Sequence, residues 1–161
     1  MPGRESHDRA VIAAVADAAD RALTLWAGGR TQVRQWEKEP GHPVCEADME
    51  IDMMLRTSLS ALDPDAGWLS EETADTVHRL DLSRVWVVDP IDGTRDYLRG
   101  RPGWAVSVAL IEDGEVKLGI LAAPARNELW VARAGQGAVR NGISLVASRR
   151  GVFAGARVPA D

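Results

Sequence analysis

The sequence predicts an α+β domain in which two helices pack on a mostly antiparallel sheet. Two amphipathic helical stripes occupy the first 62 residues. From Val85 onward the pattern changes to short apolar runs, several of them with period two, and turn motifs rather than further helices separate these runs. Helices first and strands later is the order of an α+β layered domain, not of a parallel doubly wound one.

Each element has its own warrant. From His7 to Trp26 the residues Val11, Val15, Ala18, Ala22, Leu25 and Trp26 recur at steps of three and four, and Gly28-Gly29 close the helix. The polar stretch RTQVRQWEKEPGHP, with Trp36, Pro40, Gly41 and Pro43, reads as an extended loop or short strand with a turn. Ala47, Ile51, Met54, Leu55, Leu59 and Leu62 form the second stripe, ended by DPDAG. Glu46 and Asp48 stand at its start, where acids meet the positive end of the helix dipole. GWLSEETAD is a short apolar segment running into the acidic pair Glu71-Glu72.

VWVVDPIDGT reads as a buried strand ending at Asp89, with Pro90 barring simple continuation and Asp92 three residues later. Thr94 is placed to cap a short helix at RDYL. Four strand candidates come next, GWAVSVALI, EVKLGILAA, NELWVARA and ISLVAS, separated by EDGE, PAR and the Gly-rich GQGAVRNG. The last eleven residues, GVFAGARVPAD, start a further apolar element and then stop.

The chain of 161 residues is 45% hydrophobic and 27% charged, enough for one domain over residues 1–161 with a real core. A net charge of −5 and the lack of a Lys/Arg run argue against a nucleic-acid polymer as partner. No stretch approaches the roughly 20 apolar residues that span a bilayer, and the N-terminus lacks the regions of a signal peptide. No membrane association and a cytoplasmic location are therefore expected. The single cysteine, Cys45, excludes an internal disulfide and is expected as a small buried residue.

Two close carboxylates such as Asp89 and Asp92 repel, so they need a shared proton or a cation. Gly93 permits close backbone approach, and free N–H groups at a helix start suit an anion. Together these features point to metal-assisted phosphoryl chemistry, although DPIDG alone equally suits a solvated turn. Glu71-Glu72 and Asp48 add oxygen donors. His7, His42 and His78 share no ligand spacing. An oxygen set without a His or Cys cluster fits Mg²⁺ or Mn²⁺ and not zinc.

DPIDGT at 89–94 behind VWVV, together with SEE at 70–72 and PVCEAD at 43–48, resembles the inositol monophosphatase family of Mg²⁺-dependent, lithium-sensitive phosphomonoesterases. The segment from Gly103 to Gly142 is also similar to that family's segment after its signature. The resemblance implies that Glu71, Asp89 and the Ile91 carbonyl hold one Mg²⁺, with Asp89 and Asp92 contributing to a second. It implies that the amides of Gly93 and Thr94, with Asp92 beside them, meet a small phosphate ester. The Thr94 hydroxyl, paired with Asp48, would help deprotonate the attacking water, which makes Asp48, Thr94 and Glu71 the expected catalytic residues. Glu72 would stand behind the ligands or face solvent.

Two departures accompany the resemblance. Cys45 stands where such enzymes usually have Thr, which removes a hydroxyl beside Asp48, and no Trp-Asp-x-Ala motif is found. The chain is thus expected to be the N-terminal catalytic part of the fold, its C-terminal domain absent. The implied substrate is an inositol or other polyol phosphate, or 3′-phosphoadenosine 5′-phosphate, with SEE in place of GEE leaning towards the bacterial bisphosphate nucleotidase branch. A homodimer is expected by analogy. Two other readings stand beside this one: a haloacid dehalogenase class, whose aspartates sit two apart near the chain start, and an inactive metal- or phosphate-binding remnant or interaction protein.

Overall fold

The first stripe forms helix α1 (Pro2–Trp26), which begins at Pro2 and not at His7. A proline costs nothing in a first turn, and Glu5 there complements the helix dipole. The polar stretch after it forms a hairpin, β1 (Gln35–Glu39) and β2 (His42–Cys45), with Trp36 opposite Val44. Helix α2 (Glu46–Leu62) begins directly after β2. The computed structural model describes residues 2–28, 33–39, 42–74 and 77–156, so Gly29 and the Pro40-Gly41 turn lie outside the described residues.

The remaining strands are β3 (Gly67–Ser70), β4 (Arg84–Asp92), β5 (Ala105–Glu112), β6 (Glu115–Ala123), β7 (Glu128–Arg133), β8 (Gly137–Arg140) and β9 (Ile143–Ser144). They form one sheet in sequence order, parallel between β3 and β4 and antiparallel elsewhere. Between β5 and β6 the turn is Asp113-Gly114, both at positive φ (53° and 77°), the conformation a tight two-residue hairpin demands.

Three expectations need correction. Strand β4 does not end at Asp89 but continues through Pro90 to Asp92. The ladder to β3 ends at the Ser70–Val88 pair, and the register to β5 shifts between Asp89–Ser107 and Asp92–Ala105. Pro90 lies in that irregularity, where its missing N–H breaks no regular ladder. Second, the Gly-rich separator contains β8, whose Val139 pairs with Val131. ISLVAS contributes only the two-residue β9. Third, residues 151–156 form no regular element, and Val152 and Phe153 are exposed; residues 157–161 lie outside the described residues.

Alternate residues of the central strands face the helices: Trp86 and Val88 on β4, Val106, Val108 and Leu110 on β5, Leu118 and Ile120 on β6. They meet Val11, Val15 and Ala22 of α1 and Ile51, Leu55 and Leu59 of α2 in one core. Each large side chain so buried is worth about 1.5–3 kcal/mol. No helix among the described residues is long and apolar enough to cross a membrane.

A short helix, α3 (Thr94–Leu98), turns the chain away from β4. An aromatic clamp holds it: Tyr97 packs edge-on against Trp104 at 4.9 Å between ring centres, and Trp26 also meets Trp104, at 6.0 Å. The Tyr97 hydroxyl donates to the Ala22 carbonyl at 2.9 Å, and the Trp26 indole N–H donates to the Tyr97 carbonyl at 3.2 Å. The loop between β4 and α3 is thereby pinned to the end of α1.

Candidate active site at the end of strand β4

The parallel pairing of β3 and β4 brings two acidic segments together. Ser70 lies opposite Val88, and the Glu71 N–H donates to the Val88 carbonyl at 3.3 Å, so Glu71 leaves the sheet beside Asp89. A cleft of about 270 Å³ opens there, walled by Lys38 and Pro43 of the hairpin and lined by Glu71, Asp89, Ile91, Asp92, Gly93 and Thr94. All six residues expected as ligands or at the substrate face this one cleft. Asp48, the seventh, lies just behind it, only 1% exposed.

Asp48 is positioned by the start of α2. One carboxylate oxygen, Oδ2, accepts the Cys45 N–H at 2.8 Å and the Cys45 thiol at 2.9 Å, while Oδ1 lies 3.1 Å from the Thr94 hydroxyl. That hydroxyl is also 2.9 Å from the Ile91 carbonyl. Having one hydrogen, it donates to one of these acceptors at a time. The thiol of Cys45 thus takes up a bond to Asp48 that a hydroxyl would make. Burial, then the bond to Asp48, pushes the Cys45 thiol up to about 12, so it stays protonated and unreactive.

Thr94 does not cap α3 as expected. Gly93 occupies the cap position at φ 90°, ψ 35°, and its carbonyl accepts the N–H groups of Asp96 at 2.9 Å and Tyr97 at 3.0 Å. Thr94 is freed to face Asp48. Glu72 is not solvent-facing: its side chain is 4% exposed and forms an ion pair with Lys38. Burial raises its pKa, against the pull of Lys38.

Burial, followed by the charges of Glu71 and Asp92, pushes Asp89 up to about 7. Burial raises Asp48 as well. A cation would relieve the cost of ionising Asp89 and Asp48 in this place, and the donors of the cleft are carboxylate and carbonyl oxygens, which fit a hard divalent ion. Among the described residues no group of three or more His, Cys, Asp or Glu side chains is arranged to hold a metal ion; the donors share a cleft instead.

The raised Asp89 has a testable consequence. An aspartate whose folded pKa lies above its unfolded one stabilises the fold below the unfolded pKa, near 4, and that contribution is lost as pH rises to about 7. Asp89→Asn mimics the protonated form. Without divalent cations it is expected to melt above the wild type at pH 8, with the gap closing towards pH 4, as monitored by circular dichroism.

Sequence reasoning did not find Lys38, Asp52 or Ser70 as parts of this site. Lys38 donates to the Glu71 carbonyl at 2.8 Å besides pairing with Glu72. Asp52 stands one helical turn after Asp48 and is 3% exposed, and the buried Ser70 hydroxyl donates to it. The step of four between two acids on one helix face was the available signal. A larger cavity, about 560 Å³, lies elsewhere. Its walls include Arg133 and Asp8, paired at 2.6 Å, and Arg4 and Glu112, paired at 3.4 Å, so these charges already have partners.

The sequence profile of the inositol monophosphatase family matches residues 4–158. A histidinol-phosphatase of Mycobacterium tuberculosis is 40% identical over 134 residues, covering 83% of this chain and 50% of that protein. The 3′(2′),5′-bisphosphate nucleotidase CysQ of Salmonella typhimurium is 31% identical over 121 residues, 74% of this chain and 49% of that protein. The solved structure of a Thermotoga maritima IMPase superposes with a TM-score of 0.75 at 34% identity, covering 86% of this chain and 52% of that one. The chain spans about half the length of the curated relatives it matches.

Proposed function

Since the chain belongs to the inositol monophosphatase family, we propose that it carries the catalytic part of a Mg²⁺-dependent phosphatase for small phosphate monoesters. The observation that supports this best is the convergence of Glu71, Asp89, Asp92 and the Gly93-Thr94 backbone on one cleft, with Asp48 against Thr94 behind it. Glu71, Asp89 and the Ile91 carbonyl would hold one divalent cation, and Asp89 with Asp92 would take part in a second. When bound, such ions acidify water and offset phosphate charge.

The chain's own residues then have distinct tasks. The amides of Gly93 and Thr94, with Asp92 beside them, orient the phosphate of the ester. The Thr94 oxygen accepts a proton from the attacking water while its own proton passes to Asp48 Oδ1, 3.1 Å away. The two bonds from Cys45 to Oδ2 keep the other oxygen of Asp48 turned to Thr94. Water attacks phosphorus, the ester P–O bond breaks, and the leaving alkoxide takes up a proton from solvent, to which Asp48 returns the one it received. Asp89 is no nucleophile here, so no aspartyl-phosphate forms.

Inositol phosphates, histidinol phosphate and 3′-phosphoadenosine 5′-phosphate are the candidate substrates, in a cytoplasmic setting, and the homodimer expected by analogy belongs to the same proposal. The test is phosphate release by the intact chain from these three esters, with Mg²⁺ and after chelation. Release only with Mg²⁺ is expected. Release that survives chelation would overturn the proposal, and cation binding without turnover would mark a binding remnant.

A further inference from the structure

Two buried residues outside the expected set form a brace beneath Glu71. Asp52 and Ser70 are 3% and 7% exposed, and the Ser70 hydroxyl donates to Asp52 Oδ1. The same hydroxyl oxygen accepts the Glu72 N–H at 3.2 Å. A single oxygen thus ties helix α2 to the turn after β3. Asp48 and Asp52 lie four apart on one face of α2, so this helix refers both halves of the cleft to one rigid element: Asp48 reaches Thr94 at the start of α3, just past β4, and Asp52 reaches Ser70 at the end of β3.

This frame sets the position of Glu71. Its N–H is held by the Val88 carbonyl at 3.3 Å and its carbonyl by Lys38 at 2.8 Å, while the next N–H is held by Ser70. Glu71 itself is exposed, so burial does not fix it; its backbone does. A buried acidic side chain such as Asp52 costs free energy unless it is hydrogen-bonded, and the Ser70 hydroxyl supplies such a bond. Plain packing at this place would be served by an apolar residue.

We propose that Asp52 and Ser70 are positioning residues which set the Ser70–Glu72 turn so that Glu71 can ligate a divalent cation beside Asp89. The inference rests on the reading of Glu71 as a cation ligand. Outer residues that orient ligands typically change metal affinity 10- to 100-fold when removed.

The test is titration of the intact chain with Mn²⁺ alone, monitored by electron paramagnetic resonance of the free ion, at a temperature where circular dichroism shows each variant folded. Ser70→Ala is expected to weaken Mn²⁺ binding by about 10- to 100-fold, and Ser70→Thr, which keeps the hydroxyl, to restore it. Asp52→Asn keeps the volume and an acceptor oxygen, so it is expected to fold and to bind with an affinity between those of the wild type and Ser70→Ala. A purely structural pair would lower the melting temperature and leave the Kd of the folded chain unchanged. Folded Ser70→Ala with the wild-type Kd overturns the inference; should it not fold, Asp52→Asn with the wild-type Kd does so. A wild-type chain that binds no Mn²⁺ overturns the ligand reading of Glu71, and the inference falls with it.

Discussion

Asp89→Asn is expected to reduce Mg²⁺-dependent phosphate release by at least ~10³-fold. The substitution keeps the side chain's size and one oxygen but removes the charge at the point where Glu71 and Asp92 meet. Loss of a cation's stabilisation of the transition state is worth several kcal/mol, and each ~1.4 kcal/mol is a factor of ten in rate. The fold should not suffer, because Asp89 is pushed up to about 7 by burial and by its acidic neighbours, and the neutral side chain relieves that. The check is the steady-state rate at saturating Mg²⁺ beside the melting temperature at pH 8. A slow enzyme that is at least as stable as the wild type fits; a variant with full activity does not.

Gly93→Ala is the second large effect, and it acts on backbone. Gly93 sits at φ 90°, where an L side chain is strained, and an added Cβ would lie 2.6 Å from the Gly103 carbonyl oxygen and 3.3 Å from the Trp104 Cα. These are main-chain atoms of the segment leading into β5, held by the packing of Trp104 against Tyr97 and Trp26. They cannot turn aside as a flexible side chain would. Left-handed strain together with the clash should cost on the order of 3 kcal/mol or more, read as a lower midpoint in urea denaturation. Ser107→Ala, on a half-buried position of β5, is the matched control and should change the midpoint little.

Much of this architecture was legible because periodicity reports burial. The stripes of α1 and α2 and the strands β4 to β7 each bury one face, and their sequences alternate accordingly. Strand β8 was hidden because Gly135 and Gly137 at its start and Asn141 and Gly142 after it, all at positive φ, frame a four-residue strand with turn chemistry. Pro90 misled for a related reason: its effect depends on which ladder bonds its neighbours make, and that is a property of the sheet. The cleft itself joins residues that are near in space and far in sequence. Only the family resemblance pairs Asp48 with Thr94 at the level of sequence, since nothing local to either announces the other. Lys38 lies in a polar stretch and Asp52 in a helix, and neither has its hydrogen-bond partner near it in sequence. Their meaning lies in partners across 33 and 18 residues, Glu71 and Ser70.

On the proposed function, β3 and β4 deliver Glu71, Asp89 and Asp92 to a divalent cation beside a site for phosphate. Titration of the wild-type chain and of Asp89→Asn with Mn²⁺, in the absence and presence of inorganic phosphate, measures it most directly. Mn²⁺ is expected to bind the wild type, more tightly when phosphate is added, and both effects are expected to be lost in Asp89→Asn. Equal Mn²⁺ affinity in the two proteins, indifferent to phosphate, would contradict it.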